Sequence, residues 1–151
     1  MIISHDALVL VADGRKRLLL RNGGSAEEIA LRVEEHQTQD NPADRDQKSD
    51  AAGTASSTQG GGAFAPSRGT MGETDFHQQE EDRFAIQTAD LVNRMALESA
   101  FETLVVVAPP QVLGTLRKHY HGEVKARLAG ELNKDLTSMP VPDIEQALLA
   151  A

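Results

Sequence analysis

The chain contains no cysteine and no tryptophan. Without a thiol there can be no disulfide, no thiolate zinc site and no thiol nucleophile, and the absence suits a reducing cytosol. Aromatic residues make up 3% of the 151 residues, Tyr120 and four phenylalanines, which is poor material for a base-stacking surface. No segment approaches the roughly 20 consecutive apolar residues that span a bilayer, so no membrane insertion is expected. The opening MIISHDALVLVADG has no basic leader and breaks at Asp13-Gly14, so it reads as a first strand and not as a signal peptide. These absences together predict a cytoplasmic protein. Excess positive charge is missing too: 15 basic residues face 23 acidic ones, a net charge of −8, which disfavours diffuse binding to nucleic acid.

What basic charge there is falls in two groups. Arg15, Lys16, Arg17 and Arg21 lie together without an intervening acid, and Arg117, Lys118, Lys125 and Arg127 form a second group interrupted by Glu123. Ordinary solvated surface charge accounts for most such groups. Arg15, Lys16, Arg17, Arg117 and Lys118 are the basic candidates for binding.

Residues 38–74 carry almost no apolar periodicity and are built from Gly, Ser, Ala, Thr, Asp, Gln and Pro. Structureless connections longer than about 12–15 residues are uncommon inside compact domains and are usually functional or disordered. Residues 40–71 are expected to be mobile, since they cannot bury enough apolar surface to offset ordering. The remaining roughly 115 residues suffice for one domain, so the chain reads as a single α/β domain carrying a long flexible loop at about 38–74.

Around that loop the pattern alternates between strands and helices. Residues 7–12 form a short Val- and Leu-rich run, Asp13-Gly14 follows, and Leu18, Leu19 and Leu20 come next. An Asp-Gly pair between two apolar runs predicts a hairpin with both turn positions at positive φ. Residues 30–37 alternate, Leu31 and Val33 against Arg32 and Glu34, which predicts a third strand; a helix opened by Ser25 and Glu28 as a capping box competes with it. Asp75 is placed to cap a long helix, with Gln78 at the capping-box position and Phe84, Leu91, Val92 and Met95 on one face. Leu104-Val105-Val106-Val107-Ala108 reads as a buried parallel strand, stopped by Pro109-Pro110, which open a helix holding Val112, Leu113 and Leu116. Residues 127–132 form either a last strand or a continuation of helix. Pro140 to Asp143 open a closing helix with Ile144, Leu148 and Leu149 on one side. The predicted order is β-β-β-α-β-α-β-α, a mixed sheet with helices packed on it, as in ribonuclease H-like folds and their relatives in the translation machinery.

Several chemistries can be tested residue by residue. A two-metal nuclease on this order needs carboxylates from the first strand, the long helix and the end of the fourth strand. Asp6, Asp13 and Glu98 are available, but the fourth strand ends in Ala108-Pro109, so one corner has no carboxylate. His119-x-His121 has a spacing found in metal sites on strands but falls at a helix end, while His77 and Glu81 are four apart; no metal site is assigned. Gly60-Gly61-Gly62 lacks the Lys-Ser/Thr of a phosphate-binding loop, no Gly-x-Ser-x-Gly elbow is present, and no cofactor is implied.

The stretch from Leu104 to Leu148 resembles the C-terminal half of the bacterial host-attachment protein family, proteins described as required for attachment to host cells. The Ala108-Pro109-Pro110 turn, Leu113-Gly114 and Lys134-Asp135-Leu136-Thr137 carry the likeness. So do Asp13-Gly14 and a helix start with His77, Glu80, Glu81, Arg83 and Phe84. That family is similar to the middle domain of archaeo-eukaryotic peptide-chain release factors, in which a Gly-Gly-Gln loop before the long helix enters the peptidyl-transferase centre. Here the corresponding stretch reads Gln59-Gly60-Gly61-Gly62-Ala63, with Ala63 where the glutamine would stand.

The resemblance implies loop candidates Gln59, Gly60, Gly61, Gly62 and Arg68. It also implies a non-enzymatic cytosolic module that binds ribosome or RNA and supports attachment indirectly. A protein partner, or an adhesion-related role at the cell surface, is the alternative. A peptidyl-tRNA hydrolase-like or nuclease enzyme is the less favoured alternative.

Overall fold

A computed structural model describes the backbone of residues 1–38 and 65–151, and the side chains of residues 1–38 and 75–151. The elements are β1 (Leu8–Ala12), β2 (Lys16–Asn22), β3 (Leu31–Thr38), α1 (Ala65–Leu97), β4 (Leu104–Val107), α2 (Pro110–His119), α3 (Gly122–Arg127), β5 (Leu128–Leu132) and α4 (Val141–Ala150). The five strands form one mixed sheet in the order β3-β2-β1-β4-β5. β1 pairs antiparallel with β2 and parallel with β4; β2–β3 is antiparallel and β4–β5 parallel.

The central strands are apolar throughout because both of their faces are covered. Every residue of β1 and β4 is buried. Leu8, Leu10, Leu104 and Val106 face α1, α2 and α3, where Val92, Leu116 and Val124 meet them. Val9, Val11, Val105 and Val107 face the other way, toward Ile144 and Leu148 of α4. Leu149, one residue on, is 51% exposed and does not join the buried face; it lies 100° around the helix from Leu148.

On α1 the buried face consists of Phe84, Ala85, Thr88, Ala89, Val92 and Ala96, with Leu91 and Met95 partly buried beside it. The alanines bring the helix close to the sheet, and no count of large apolar residues shows them. α1 begins at Ala65, so Asp75 lies inside it and does not cap it. Pro66 is tolerated in a first turn because its missing N–H is unpaired there anyway. Gln78 bonds Asp82 one turn on, at 3.0 Å, in place of a capping box. Residues 40–64 of the expected mobile segment lie outside the described residues.

Two turns differ from expectation. The β1–β2 hairpin forms, closed by the Asp13 amide on the Lys16 carbonyl at 2.9 Å, but Gly14 and Arg15 are its central residues and no described glycine has positive φ. Asp13 Oδ1 accepts from the amides of both Arg15 and Lys16 at 2.7 Å, an Asx-type turn that needs no left-handed residue. After β2, Ser25 does accept from the Glu28 amide at 3.0 Å, yet no helix follows. The Asn22 amide holds this connection. Its nitrogen donates to the carbonyls of Ile3, Ser4 and Ser25, and its oxygen accepts from the amides of Gly24 and Ala30. The chain is thereby turned into β3. Residues 122–132 realise both readings of that stretch in succession, a short helix to Arg127 and then a strand.

Candidate functional site

In open α/β sheets, ligands are met outside the carboxyl ends of the strands, where neighbouring connections diverge. Here the chain leaves β1 toward β2 on one side and leaves β4 toward β5 on the other. A cleft of about 260 Å³ opens at that point, lined by Asp13, Gly14, Arg15, Glu81, Pro109, Gln111, Val112 and Asp135.

Two long-range contacts build it. Glu81 of α1 lies directly against Gly14: a β-carbon at residue 14 would meet Glu81 Cβ at 2.7 Å. Thr137 donates its hydroxyl to Asp13 Oδ2 at 2.7 Å and also lies 3.0 Å from Asp135 Oδ1. The Lys134-Asp135-Leu136-Thr137 loop is thus latched to the Asp13-Gly14 turn, which unites two of the short motifs that stand far apart in the sequence. Both oxygens of Asp13 are engaged in this way, so it is a fixed anchor. Glu81, Gln111, Asp135 and Arg15 supply the cleft's remaining polar groups.

β3 ends at this same end of the sheet. Thr38, the last residue of β3, is in register with Lys16. About 24 Å of α1, from Ala65 onward, precedes Glu81. Arg68 falls in the first turns of α1, while Gln59, Gly60, Gly61 and Gly62 lie outside the described residues.

The basic candidates have different environments. Arg15 is exposed and Lys16 half-buried. Arg17 is buried: it donates to Thr88 Oγ1 at 3.1 Å and to Gln37 Oε1 at 2.8 Å, and its guanidinium carbon stands 5.1 Å from the centre of the Phe84 ring. Burial lowers its pKa, opposed by the nearby Glu35 carboxylate, and the Arg94 charge lowers it further. Arg17 therefore fastens β2 to α1 and β3. Arg117 is exposed and grips Glu131, with its Nη2 2.7 Å from Oε1; that bond raises its pKa. Lys118 is exposed.

The carboxylates considered for a nuclease are not brought together, since Asp6 and Asp13 bracket β1 at opposite ends and Glu98 follows the C-terminal end of α1. Among the described residues, no three His, Asp or Glu side chains are grouped so as to hold a metal ion. No helix among them is long and apolar enough to cross a membrane.

The model of bacterial archaeo-eukaryotic release factor family 12 matches residues 6–148. The chain belongs to this family. The match spans both the Asp13-Gly14 turn and the Lys134–Thr137 loop that meet in the cleft. Among solved structures, the family-12 chain is similar to the archaeal translation termination factor aRF1, at a TM-score of 0.42 and 9% identity. That alignment covers 93% of this chain and 34% of the factor, so the chain spans about a third of the factor's length. No curated protein matches it.

Sequence reasoning pointed to Asp13-Gly14, to the Lys134–Thr137 motif and to the helix start that includes Glu81 as marks of likeness, and to Glu81 also as a partner for His77. It did not single out Gln111. A contact between motifs more than a hundred residues apart has no periodic signature along the chain.

Proposed function

We propose that this family-12 chain is a translation-related binding module that meets the ribosome or another structured RNA and performs no chemistry of its own. Family membership over residues 6–148 is the observation that carries this reading. The geometry supports it at one flank of the segment containing Gln59, Gly60, Gly61 and Gly62: β3 ends at Thr38, in register with Lys16 near the cleft. Ala63 follows the glycines where a catalytic glutamine would be required, so the module binds without hydrolysing peptidyl-tRNA. On this reading the protein is cytoplasmic, and any part in attachment to host cells is indirect, through translation.

The test is co-sedimentation of the native protein with ribosomes in a sucrose gradient at moderate salt. Association that weakens when residues 60–68 are deleted is the expected result. Protein that stays at the top of the gradient in every growth state, or that fractionates to the outer cell surface, would overturn the reading and favour a protein partner or an adhesion role.

A further inference from the structure

The connection between α2 and α3 presents two histidines in a fixed and complementary arrangement. Tyr120 is turned into the core, while His119 and His121 on either side of it are exposed. Asn93 of α1 holds the connection from beneath: its Nδ2 donates to the His119 carbonyl at 2.9 Å, and its Oδ1 accepts from the His121 amide at 2.8 Å.

The hydrogen bonds of the two rings decide their tautomers. His119 Nδ1 lies 2.9 Å from the Thr115 carbonyl, which can only accept. Nδ1 therefore carries the hydrogen, and Nε2 of the neutral ring is an acceptor. His121 Nδ1 accepts from the Glu123 amide at 3.3 Å, so its hydrogen is on Nε2, a donor. One outward acceptor and one outward donor thus stand two residues apart.

The charge around them is positive in an acidic protein. Residues 109–130 contain Arg117, Lys118, Lys125 and Arg127 against the single acid Glu123, while the whole chain carries −8. Glu123 is held by Arg127 at 3.3 Å, and Glu131 of β5 by Arg117 at 2.7 Å. Lys118 and Lys125 are exposed and have no ion-pair partner among the described residues. On α1, Asp90 and Arg94 beside Asn93 offset one another in charge.

We infer that this corner, Lys118, His119, His121 and Lys125, is a contact surface for the sugar-phosphate backbone of RNA. The lysines meet phosphates, which bind by counterion release. The histidine pair meets a ribose 2′-hydroxyl, which both donates and accepts and is the group that tells RNA from DNA. The one aromatic side chain here, Tyr120, is buried, so bases are not stacked and sequence is not read. The inference rests on the translation reading for its partner and places that partner on a face distinct from the cleft.

The experiment uses the full chain, a single-stranded RNA oligonucleotide and the DNA of the same sequence, with fluorescence anisotropy over a salt series, alongside the ribosome gradient. The wild type is expected to favour RNA. Lys118→Glu with Lys125→Glu should weaken RNA binding about tenfold or more and flatten its salt dependence. Arg32→Glu, on the exposed part of β3, serves as a charge-changing control and should have little effect. His119→Phe with His121→Phe should equalise RNA and DNA while leaving salt-dependent binding in place. If the protein binds neither RNA nor ribosomes, this inference and the translation reading fall together. If ribosome association persists and the lysine pair matters no more than Arg32, only this surface is wrong. Equal RNA and DNA affinity in the wild type would overturn the role given to the histidines.

Discussion

Gly14 and Glu81 are packed so closely that a β-carbon on residue 14 would lie 2.7 Å from Glu81 Cβ and 2.8 Å from its Cγ. Glu81 Cβ is fixed to the helix backbone and cannot swing aside, so Gly14→Ala must push the turn and α1 apart. A loss of about 1–3 kcal/mol is expected, in the range of overpacking substitutions, read as a lower urea midpoint at unchanged slope. Glu81→Ala keeps the β-carbon and should not rescue it, whereas Glu81→Gly should recover part of the loss. Rescue by Glu81→Ala would show that the long side chain, and not the close approach of backbones, is what the glycine accommodates.

Asn22 is fully buried and spends its one amide group on five backbone groups around the β2–β3 connection. Asn22→Ala leaves the amides of Gly24 and Ala30 without an acceptor. Both amides are only part-buried, so water replaces part of the lost bonding and a total of about 1–2 kcal/mol is expected. Asn22→Asp restores the acceptor but sets a carboxylate against three carbonyls, and it should not recover stability. Equilibrium unfolding of the two variants checks both statements.

At the other end of α1 the helix closes with Ser99 in the left-handed region, at φ 56. The Ser99 amide bonds the Ala96 carbonyl at 3.0 Å and the Ala100 amide bonds that of Met95 at 2.8 Å. This is the paired bond pattern of a Schellman cap, in which glycine is the favoured residue. Ser99→Gly removes a conformational penalty of about 1–2 kcal/mol and adds some unfolded-state entropy. A net gain of about 1 kcal/mol, or about 2–4 °C in Tm, is the expected result by calorimetry.

The parts of the fold that were legible in the sequence are those governed by neighbours along the chain. The β1, β2 and β4 runs announce themselves because each is short, apolar and bounded by turn residues. What was not legible depends on residues brought together from afar. Arg17 looks like surface charge beside Arg15 and Lys16, yet Thr88, Gln37 and Phe84 draw it inward. The capping signal at Ser25 is locally satisfied and then overruled, because Asn22 turns the chain into a strand. At Asp13-Gly14 the glycine was expected to supply positive φ; the position instead requires the absence of a side chain, and that requirement is written on α1. The cleft was half visible for the same reason: its two motifs carry the family likeness, but only the folded chain places Thr137 on Asp13.

Val106 is fully buried in β4, paired with Leu10 on one side and Glu131 on the other. Val106→Asp would place an unpaired carboxylate between the sheet and the helices α1, α2 and α3 that cover this face, a cost comparable with the whole stability of roughly 5–15 kcal/mol once packing losses are added. Loss of the cooperative thermal transition, or insolubility on expression, is expected. A soluble variant with native circular dichroism would contradict the central position of β4.

Tyr120 is the single tyrosine, 7% exposed, and its hydroxyl has no hydrogen-bond partner among the described residues. Desolvation raises its pKa above the ordinary value of 10.0, the Glu131 carboxylate adds to the rise, and Arg117 opposes it. The sign of the linkage follows. Above pH 10 the unfolded chain gives up the phenolic proton while the folded protein keeps it, so the folded state binds more protons and stability falls as pH rises. Below that window the group contributes no pH dependence. Because the chain has no other tyrosine and no tryptophan, the tyrosinate absorbance band reports this residue alone. It should stay silent at pH values where free tyrosine ionises and then appear together with unfolding. Tyr120→Phe removes the unpartnered hydroxyl; it should leave neutral-pH stability unchanged or raise it by about 1 kcal/mol, and should make the alkaline decline shallower. A tyrosinate band that develops near the ordinary value in the folded protein would show that solvent reaches the hydroxyl.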